Sequence, residues 1–568
     1  MTQGREGRQR ANSGSDAAWV IGWTLAGFAL RALLIGFTNR IAGDGVGWYA
    51  PMARAFFEGR WSQGFDAMIP FVYSLCVAGV AHLLPAAAWQ GPVADAGALE
   101  LAGQLTSAIF GAAAVPLIYF LLRRLLPPPH GRSAARMGAA MAAFSPFLSR
   151  FGAQVMTEPT YTFFFLLAFL AGVALLRRRT ASSAALFGLA VGLACLNRPE
   201  AMGLLVVIGG WIAVPALMQA RALWRAVALG AITLLFFLVG LLPQMAVTHA
   251  KSGVWTLSAK SGAIFKKSHL EGTLASEKWR YPAPEARTDA DAPAGQGNGA
   301  ETAEADDSFN LVNYVRRNPG VFARHYVTAL GEFVANVPAA MGYVLTPFLL
   351  VGLAARREIP RLRGEWVAAS LVCAYLLMLS LFHFSLRFLA PVVPFGILWA
   401  SVGLLETAAR VGRAAPGRLP EAVRRQPLKW IAAAALSLLL VESVLINLSA
   451  NHFRWYWSPE KRTGAWMRAN LPPGAKVMTR SSMIENYYAG AHTSYFPYAP
   501  YEEVMDYIRR TEVAYVLFDE DKTTRLRPGF IEAFTAGGGR LIHAFDYGRK
   551  KVYLYEVLPA APPAAGGA

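Results

Sequence analysis

Four short stretches of this 568-residue chain put acidic and basic side chains where apolar runs end. Their types are those of acid-base and phosphate chemistry. Asp44 lies in Ile41-Ala-Gly-Asp-Gly-Val-Gly-Trp48-Tyr49, just past an apolar run from about Ala17 to Phe37. A carboxylate at a bilayer's edge can act as a base on a substrate whose tail stays in the lipid. Glu158 follows Val155-Met-Thr and precedes Pro159, between two further apolar runs. Arg198 and Glu200 fill the short connection Asn197-Arg-Pro-Glu200, and Arg387 opens an apolar run in His383-Phe-Ser-Leu-Arg-Phe-Leu-Ala-Pro. Each has a plain alternative: helix capping or a solvated loop charge for the carboxylates, and snorkelling to headgroups for the arginines. Arginine's planar fork equally suits a phosphate held at the interface.

The elements that must position these residues are membrane spans. The chain is 55% hydrophobic and 16% charged, with a mean hydropathy of +0.34, which excludes a soluble globular protein of this length. A span needs roughly 20 mostly apolar residues. By that rule there are about eleven, near 17–38, 98–122, 134–151, 160–176, 183–197, 200–217, 225–247, 338–355, 365–384, 387–408 and 429–448. The formal charge of +18 reflects arginine clusters between these runs rather than a nucleic-acid surface. With the N-terminal tail 1–16 cytoplasmic and the first helix retained, the clusters at Arg123–Arg136, Arg177–Arg179, Arg221–Arg225, Arg356–Arg363 and Arg410–Lys429 all fall inside. That phase puts Asp44, Glu158, Arg198 and Arg387 together on the extracytoplasmic face. Arg31, within the first run, fits pairing in the bundle or snorkelling, with no catalytic role.

The first outer loop, 39–97, carries an aromatic amphipathic segment, Trp48 to Trp61, and an apolar stretch, Met68 to Leu84, that fits a juxtamembrane or re-entrant helix. A second outer loop, 249–336, has a middle (283–307) expected to be disordered. Its basic and aromatic flanks include Lys251, Lys266, Lys267 and His269, which are placed to close over a bound substrate. From about Asn451 to 559 the composition is that of a small extracytoplasmic α/β domain. Its strands are expected at Ala475–Arg480, Val513–Asp519, Leu541–Phe545 and Lys551–Val557, its helices at Tyr501–Thr511 and Phe530–Thr535, and a flexible tail, 560–568, follows. Cys76, Cys195 and Cys373 have no metal or disulfide spacing, and nucleotide-binding glycine motifs are missing.

Asp44 before an aromatic segment, the Ser149-Arg150 to Val155-Met-Thr-Glu-Pro159 stretch, Asn197-Arg-Pro-Glu200 and Arg387-Phe-Leu-Ala-Pro-Val-Val-Pro394 occur in an order and sidedness that resemble the GT-C superfamily. The resemblance is nearest to dolichyl-phosphate-mannose protein mannosyltransferases and aminoarabinose transferases, over roughly 17–450. It implies a membrane glycosyltransferase that takes a sugar from a polyprenyl-phosphate carrier and gives it to a glycan, lipid or protein acceptor, with membrane lipids but no nucleic acid as partners. Asp44 would then be the base and Glu158 the second acid. Arg198 and Arg387 would contact phosphate, with Tyr49, Glu200, Lys251, Lys266, Lys267 and His269 as further substrate contacts. Members frequently carry Asp-Glu where this chain has Asp44-Gly45, so a metal-independent mechanism is expected, a divalent cation being the alternative. A lipid or polysaccharide transporter, or an envelope assembly scaffold, is the other class compatible with the span count.

Overall fold

The structure, a computed structural model, describes residues 2–38, 41, 43–90, 94–127, 130–218, 220–258, 311–354, 363–382, 384–413, 420–450, 458–479, 484–548 and 550–559. The stretch 283–307, the tail 560–568 and the candidate residues Lys266, Lys267 and His269 lie outside them.

Helices occupy all eleven apolar stretches. Among the described residues, six segments are long and apolar enough on their own to cross a bilayer: Ser15–Ile35, Asp95–Leu125, Glu158–Arg178, Pro199–Ala216, Ala222–Ser252 and Pro427–Ser449. The chain is a multi-pass membrane protein. Other stretches are shorter or broken for local reasons. The run 134–151 divides into His130–Phe144 and Pro146–Phe151, because Pro146 cannot continue a helix and Ser145 caps the second piece. The run 338–355 divides at Gly342, whose φ of +88° suits glycine. At its beginning the first helix starts at Thr2, so the stretch read as a tail is its polar first part.

Packing follows residue size. The helix His130–Phe144 buries an Ala/Gly stripe, including Ala134, Ala135, Gly138 and Ala139, and so lies close to Ala94–Leu125 and Val393–Arg413. Glu158–Arg178 is central and largely buried. By contrast, Ala220–Ser252 exposes Leu234, Leu235, Leu238, Val239 and Leu242, as a helix bordering lipid should. At one end of the bundle Arg132 and Arg136 donate to Asp16 (2.9 and 2.8 Å), joining the first helix to His130–Phe144. Buried Arg31 neither snorkels nor meets a carboxylate among the described residues. Its Nη1 donates to the carbonyls of Gly27 (2.8 Å) and Ala143 (3.2 Å).

The opposite end carries the first loop and the C-terminal domain. The apolar stretch Met68–Leu84 contains a helix, Val72–Ala81, of only 10 residues, about 15 Å long and half a bilayer. It packs on Ala50–Phe57 and on Ala94–Leu125. Gln244 and Ser258 donate to the carbonyls of Asp66 (2.7 Å) and Met68 (2.6 Å), tying this loop to the end of the long helix and the residues after it. The C-terminal domain holds a five-stranded sheet: β1 Lys476–Thr479, β2 His492–Tyr495, β3 Tyr515–Asp519, β4 Gly539–Asp546 and β5 Lys551–Val557. Its order is β2-β1-β3-β5-β4, with β1 parallel to β2 and β3, and β5 antiparallel to β3 and β4. Strand β2 is the strand the sequence reading missed, being a four-residue edge strand, His-Thr-Ser-Tyr, with little apolar character; the helices Pro459–Asn470, Ile484–Ala489 and Glu520–Leu526 were not expected either.

Gly352 and Gly403 show how tightly the bundle is packed. A Cβ on Gly352 would stand 1.9 Å from the Trp399 carbonyl oxygen, and one on Gly403 1.9 Å from that of Phe348. The helices Thr346–Ala354 and Val393–Arg413 therefore touch backbone to backbone. Gly403→Ala is expected to cost about 1–3 kcal/mol through overpacking, read as a lower unfolding temperature of the detergent-solubilised protein. Gly209→Ala, with nothing within 4 Å of the added methyl, should leave that temperature unchanged or raise it slightly.

Candidate active site

The five charged residues singled out at the helix ends are set by four short pieces of backbone. Asp44 stands at the start of a π-helical turn, Gly45–Tyr49, which leads into Ala50–Phe57. Its side chain makes no capping bond there. Glu158 is the first residue of the helix Glu158–Arg178, preceded by Thr157 and followed by Pro159, and it too is not spent on a cap. Arg198 and Glu200 lie at the 3-10 turn Pro199–Met202, between Ala181–Cys195 and Gly203–Ala216. Arg387 is in another 3-10 turn, Leu386–Leu389, before Val393–Arg413.

These four segments meet in an alternating string of charge. Arg387 Nη1 donates to Asp44 Oδ2, and its Nε lies 3.7 Å from Glu158 Oε1. Arg198 Nη1 donates to the same Glu158 oxygen at 3.0 Å, and its Nη2 donates to Glu200 Oε1 at 3.1 Å. Glu158 is the hub, only 1% exposed, whereas Asp44 at the open end is 35% exposed. A buried carboxylate at this depth is tolerable because two guanidiniums converge on it and because it sits at a helix N-terminus. Burial works against the Arg198 charge, but Glu200 and Glu158 more than offset it, so its pKa lies well above the ordinary guanidinium value.

Aromatic side chains wall the string. The Arg198 guanidinium lies 4.6 Å from the Phe388 ring centre and 5.6 Å from that of Tyr161, and Arg387 lies 5.5 Å from Phe388. Tyr49 is buried, with its hydroxyl 3.4 Å from Thr157 Oγ1, beside Glu158. Burial first, then the nearby Asp44 and Glu158 charges, push the Tyr49 phenol above its ordinary pKa, so it stays protonated at physiological pH and can donate a hydrogen bond. Phe388, Tyr161 and Thr157 were not singled out from the sequence. The usable signal was adjacency, since Phe388 follows Arg387 and Thr157 precedes Glu158.

Six candidates are therefore brought together: Asp44, Tyr49, Glu158, Arg198, Glu200 and Arg387. Lys251 is engaged elsewhere, its Nζ donating to the Phe65 carbonyl at 2.5 Å and fastening the first loop. Gly45 has a packing reason of its own, because a Cβ there would stand 2.6 Å from Ile41 Cγ1. Among the described residues no cluster of three His, Cys, Asp or Glu side chains is arranged to hold a metal.

The family model for dolichyl-phosphate-mannose-protein mannosyltransferase matches residues 93–245, a stretch that includes Glu158, Arg198 and Glu200. Among solved structures, ArnT from Cupriavidus metallidurans bound to undecaprenyl phosphate superposes with a TM-score of 0.52 at 14% identity, covering 94% of this chain and 98% of that one. The same enzyme in the apo state matches to the same extent. Arabinofuranosyltransferase AftD from Mycobacteria superposes with a TM-score of 0.42 at 14% identity, over 94% of this chain and 40% of that one. No curated protein matches. The chain has the fold of ArnT, a polytopic helical membrane fold with a small C-terminal α/β domain, as the sequence implied.

Removing the hub should expose its structural weight. Glu158→Ala leaves Arg198 and Arg387 facing each other without the shared carboxylate and is expected to destabilise the protein by about 3–5 kcal/mol. Glu158→Gln, which keeps an oxygen acceptor, should cost less, and Asp44→Asn, at the exposed end, no more than about 1 kcal/mol. Thermal unfolding of the three variants in detergent gives this ranking directly.

Proposed function

We propose that this protein transfers a sugar from a polyprenyl-phosphate carrier to an acceptor on the extracytoplasmic side, with inversion at the anomeric carbon and Asp44 as general base. The observation that carries this reading is the contact between Asp44 and Arg387, which joins a base and a phosphate-binding group in one resting pair. The fold supports it, since a protein of the same fold was solved bound to undecaprenyl phosphate.

In the resting pair Arg387 stabilises the Asp44 carboxylate and makes it a weaker base. A donor phosphate competes for the same guanidinium. As Arg387 turns to the phosphate, Asp44 is released and becomes more basic only when a donor is present. The acceptor oxygen then attacks the anomeric carbon while Asp44 takes its proton. The bond from that carbon to the phosphate oxygen breaks, and the polyprenyl phosphate leaves with one more negative charge than it carried in the donor. Arg387 and Arg198 stand where that charge develops, so their attraction is stronger in the transition state than in the ground state. Glu158 holds both arginines in place, and the bilayer fixes the lipid tail, so that much of the rate comes from positioning. In this scheme every step is carried by side chains, without a metal.

The test is to incubate the purified protein with a panel of polyprenyl-phosphate sugars and follow release of polyprenyl phosphate by mass spectrometry. Wild type should release it from at least one donor, and Asp44→Asn should be slower by about 100-fold or more while still folded. Full activity in Asp44→Asn would remove the base from this scheme. Arg387→Ala should raise the donor KM and lower kcat together, by roughly tenfold or more in kcat/KM. Arg387→Lys should recover only part of that loss, since a lysine lacks the fork that serves carboxylate and phosphate alike. An Arg387→Lys variant indistinguishable from wild type would show that only charge matters at this position.

A further inference from the structure

We infer that the C-terminal α/β domain holds the Asp44 segment in its working position through Tyr488, a positioning residue; the inference rests on Asp44 being the base proposed above. Tyr488 lies in the short helix Ile484–Ala489 of the C-terminal domain and is fully buried. Its hydroxyl accepts the backbone N–H of Ile41 at 3.2 Å and donates to Glu100 Oε2 at 2.8 Å. One hydroxyl can do both, because a carboxylate only accepts and the phenolic oxygen retains lone pairs.

Glu100 belongs to the membrane helix Ala94–Leu125 and is 2% exposed. It is neutralised from the same domain, by Lys461 at 2.7 Å, which also lies 5.2 Å from the Tyr488 ring centre. Ile41 carries the contact onward. It is fully buried, shares an apolar cluster with Tyr49 and Tyr488, and lies close enough to Gly45 that no Cβ fits between them. Asp44 is therefore bracketed by Arg387 at its carboxylate and by the Ile41–Gly45 contact at its backbone. The second bracket is anchored across 447 positions of sequence by a single hydroxyl.

A docking surface that only glued the domain to the membrane helices would have no need to bond the backbone three residues before the base. A base must be held within about 0.5 Å of its productive place. Loss of the Tyr488 hydroxyl is thus expected to act on turnover rather than on donor binding.

The experiment compares full-length wild type with Tyr488→Phe and Lys461→Met in detergent, by amide hydrogen exchange and by transfer kinetics. Tyr488→Phe should speed exchange in the peptide spanning Ile41–Tyr49 roughly fivefold, the scale of one lost hydrogen bond. Exchange in β1, β3 and β5 should not change, and kcat should fall severalfold with the donor KM unaltered. Lys461→Met, which leaves the ring and hydroxyl in place but loosens Glu100, should shift exchange in the same direction. Unchanged exchange at Ile41–Tyr49 in both variants would overturn the inference, as would a rise that always accompanies exchange across the whole sheet. The exchange arm needs no turnover, so a protein that transfers no sugar would remove the proposed function while leaving the contact itself measured.

Discussion

The site depends on a carboxylate buried at the end of a membrane helix. Glu158 is almost without solvent, and an isolated charge there would cost several kcal/mol. Arg198 and Arg387, reaching it from two other helix ends, make the charge sustainable. Once both guanidiniums are committed to Glu158, the remaining arms of the forks are aimed outward, one at Glu200 and one at Asp44. The alternating string follows from that geometry. So does the gradient of exposure, which leaves Asp44 at the open end.

The helices satisfy this constraint by ending at one level. Glu158, Pro199 and Leu386 each begin a helix or a 3-10 turn on the same face, and Asp44 begins the π-helical turn there. Backbone contacts such as Gly352 with Gly403 and the alanine stripe of His130–Phe144 fix the level by allowing helices to pack without side chains between them. The first loop is fastened from above by Gln244, Lys251 and Ser258, and from the C-terminal domain by Tyr487 and Tyr488. A site made of loops is thereby given the rigidity of the elements around it.

Much of this was legible in the sequence. Hydropathy located helices at all eleven apolar stretches, and Asp44, Glu158, Arg198 and Arg387, expected together on one face, do meet at one end of the bundle. Capping, the plain alternative for Asp44 and Glu158, is answered by geometry, since neither carboxylate caps its own helix. Partnership was not legible. Arg387 and Arg198 read separately as phosphate contacts, and nothing in their local sequence says that they share Glu158 or that one holds Asp44. Those links span up to 343 positions and arise from packing alone. Lys251 makes another such link, its ammonium donating to the Phe65 carbonyl 186 positions away. Strand β2 was hidden because four mostly polar residues at a sheet edge carry no alternating pattern.

The Asp44–Arg387 pair is the point at which structure and proposed chemistry meet, and binding of the product lipid tests it without turnover. Affinity for polyprenyl phosphate, measured by native mass spectrometry on wild type and on Asp44→Asn, reads the competition directly. If phosphate must draw Arg387 away from Asp44, the neutral asparagine frees that guanidinium, and Asp44→Asn binds the lipid severalfold more tightly than wild type. Weaker binding by Asp44→Asn would contradict the exchange of partners on which the scheme rests.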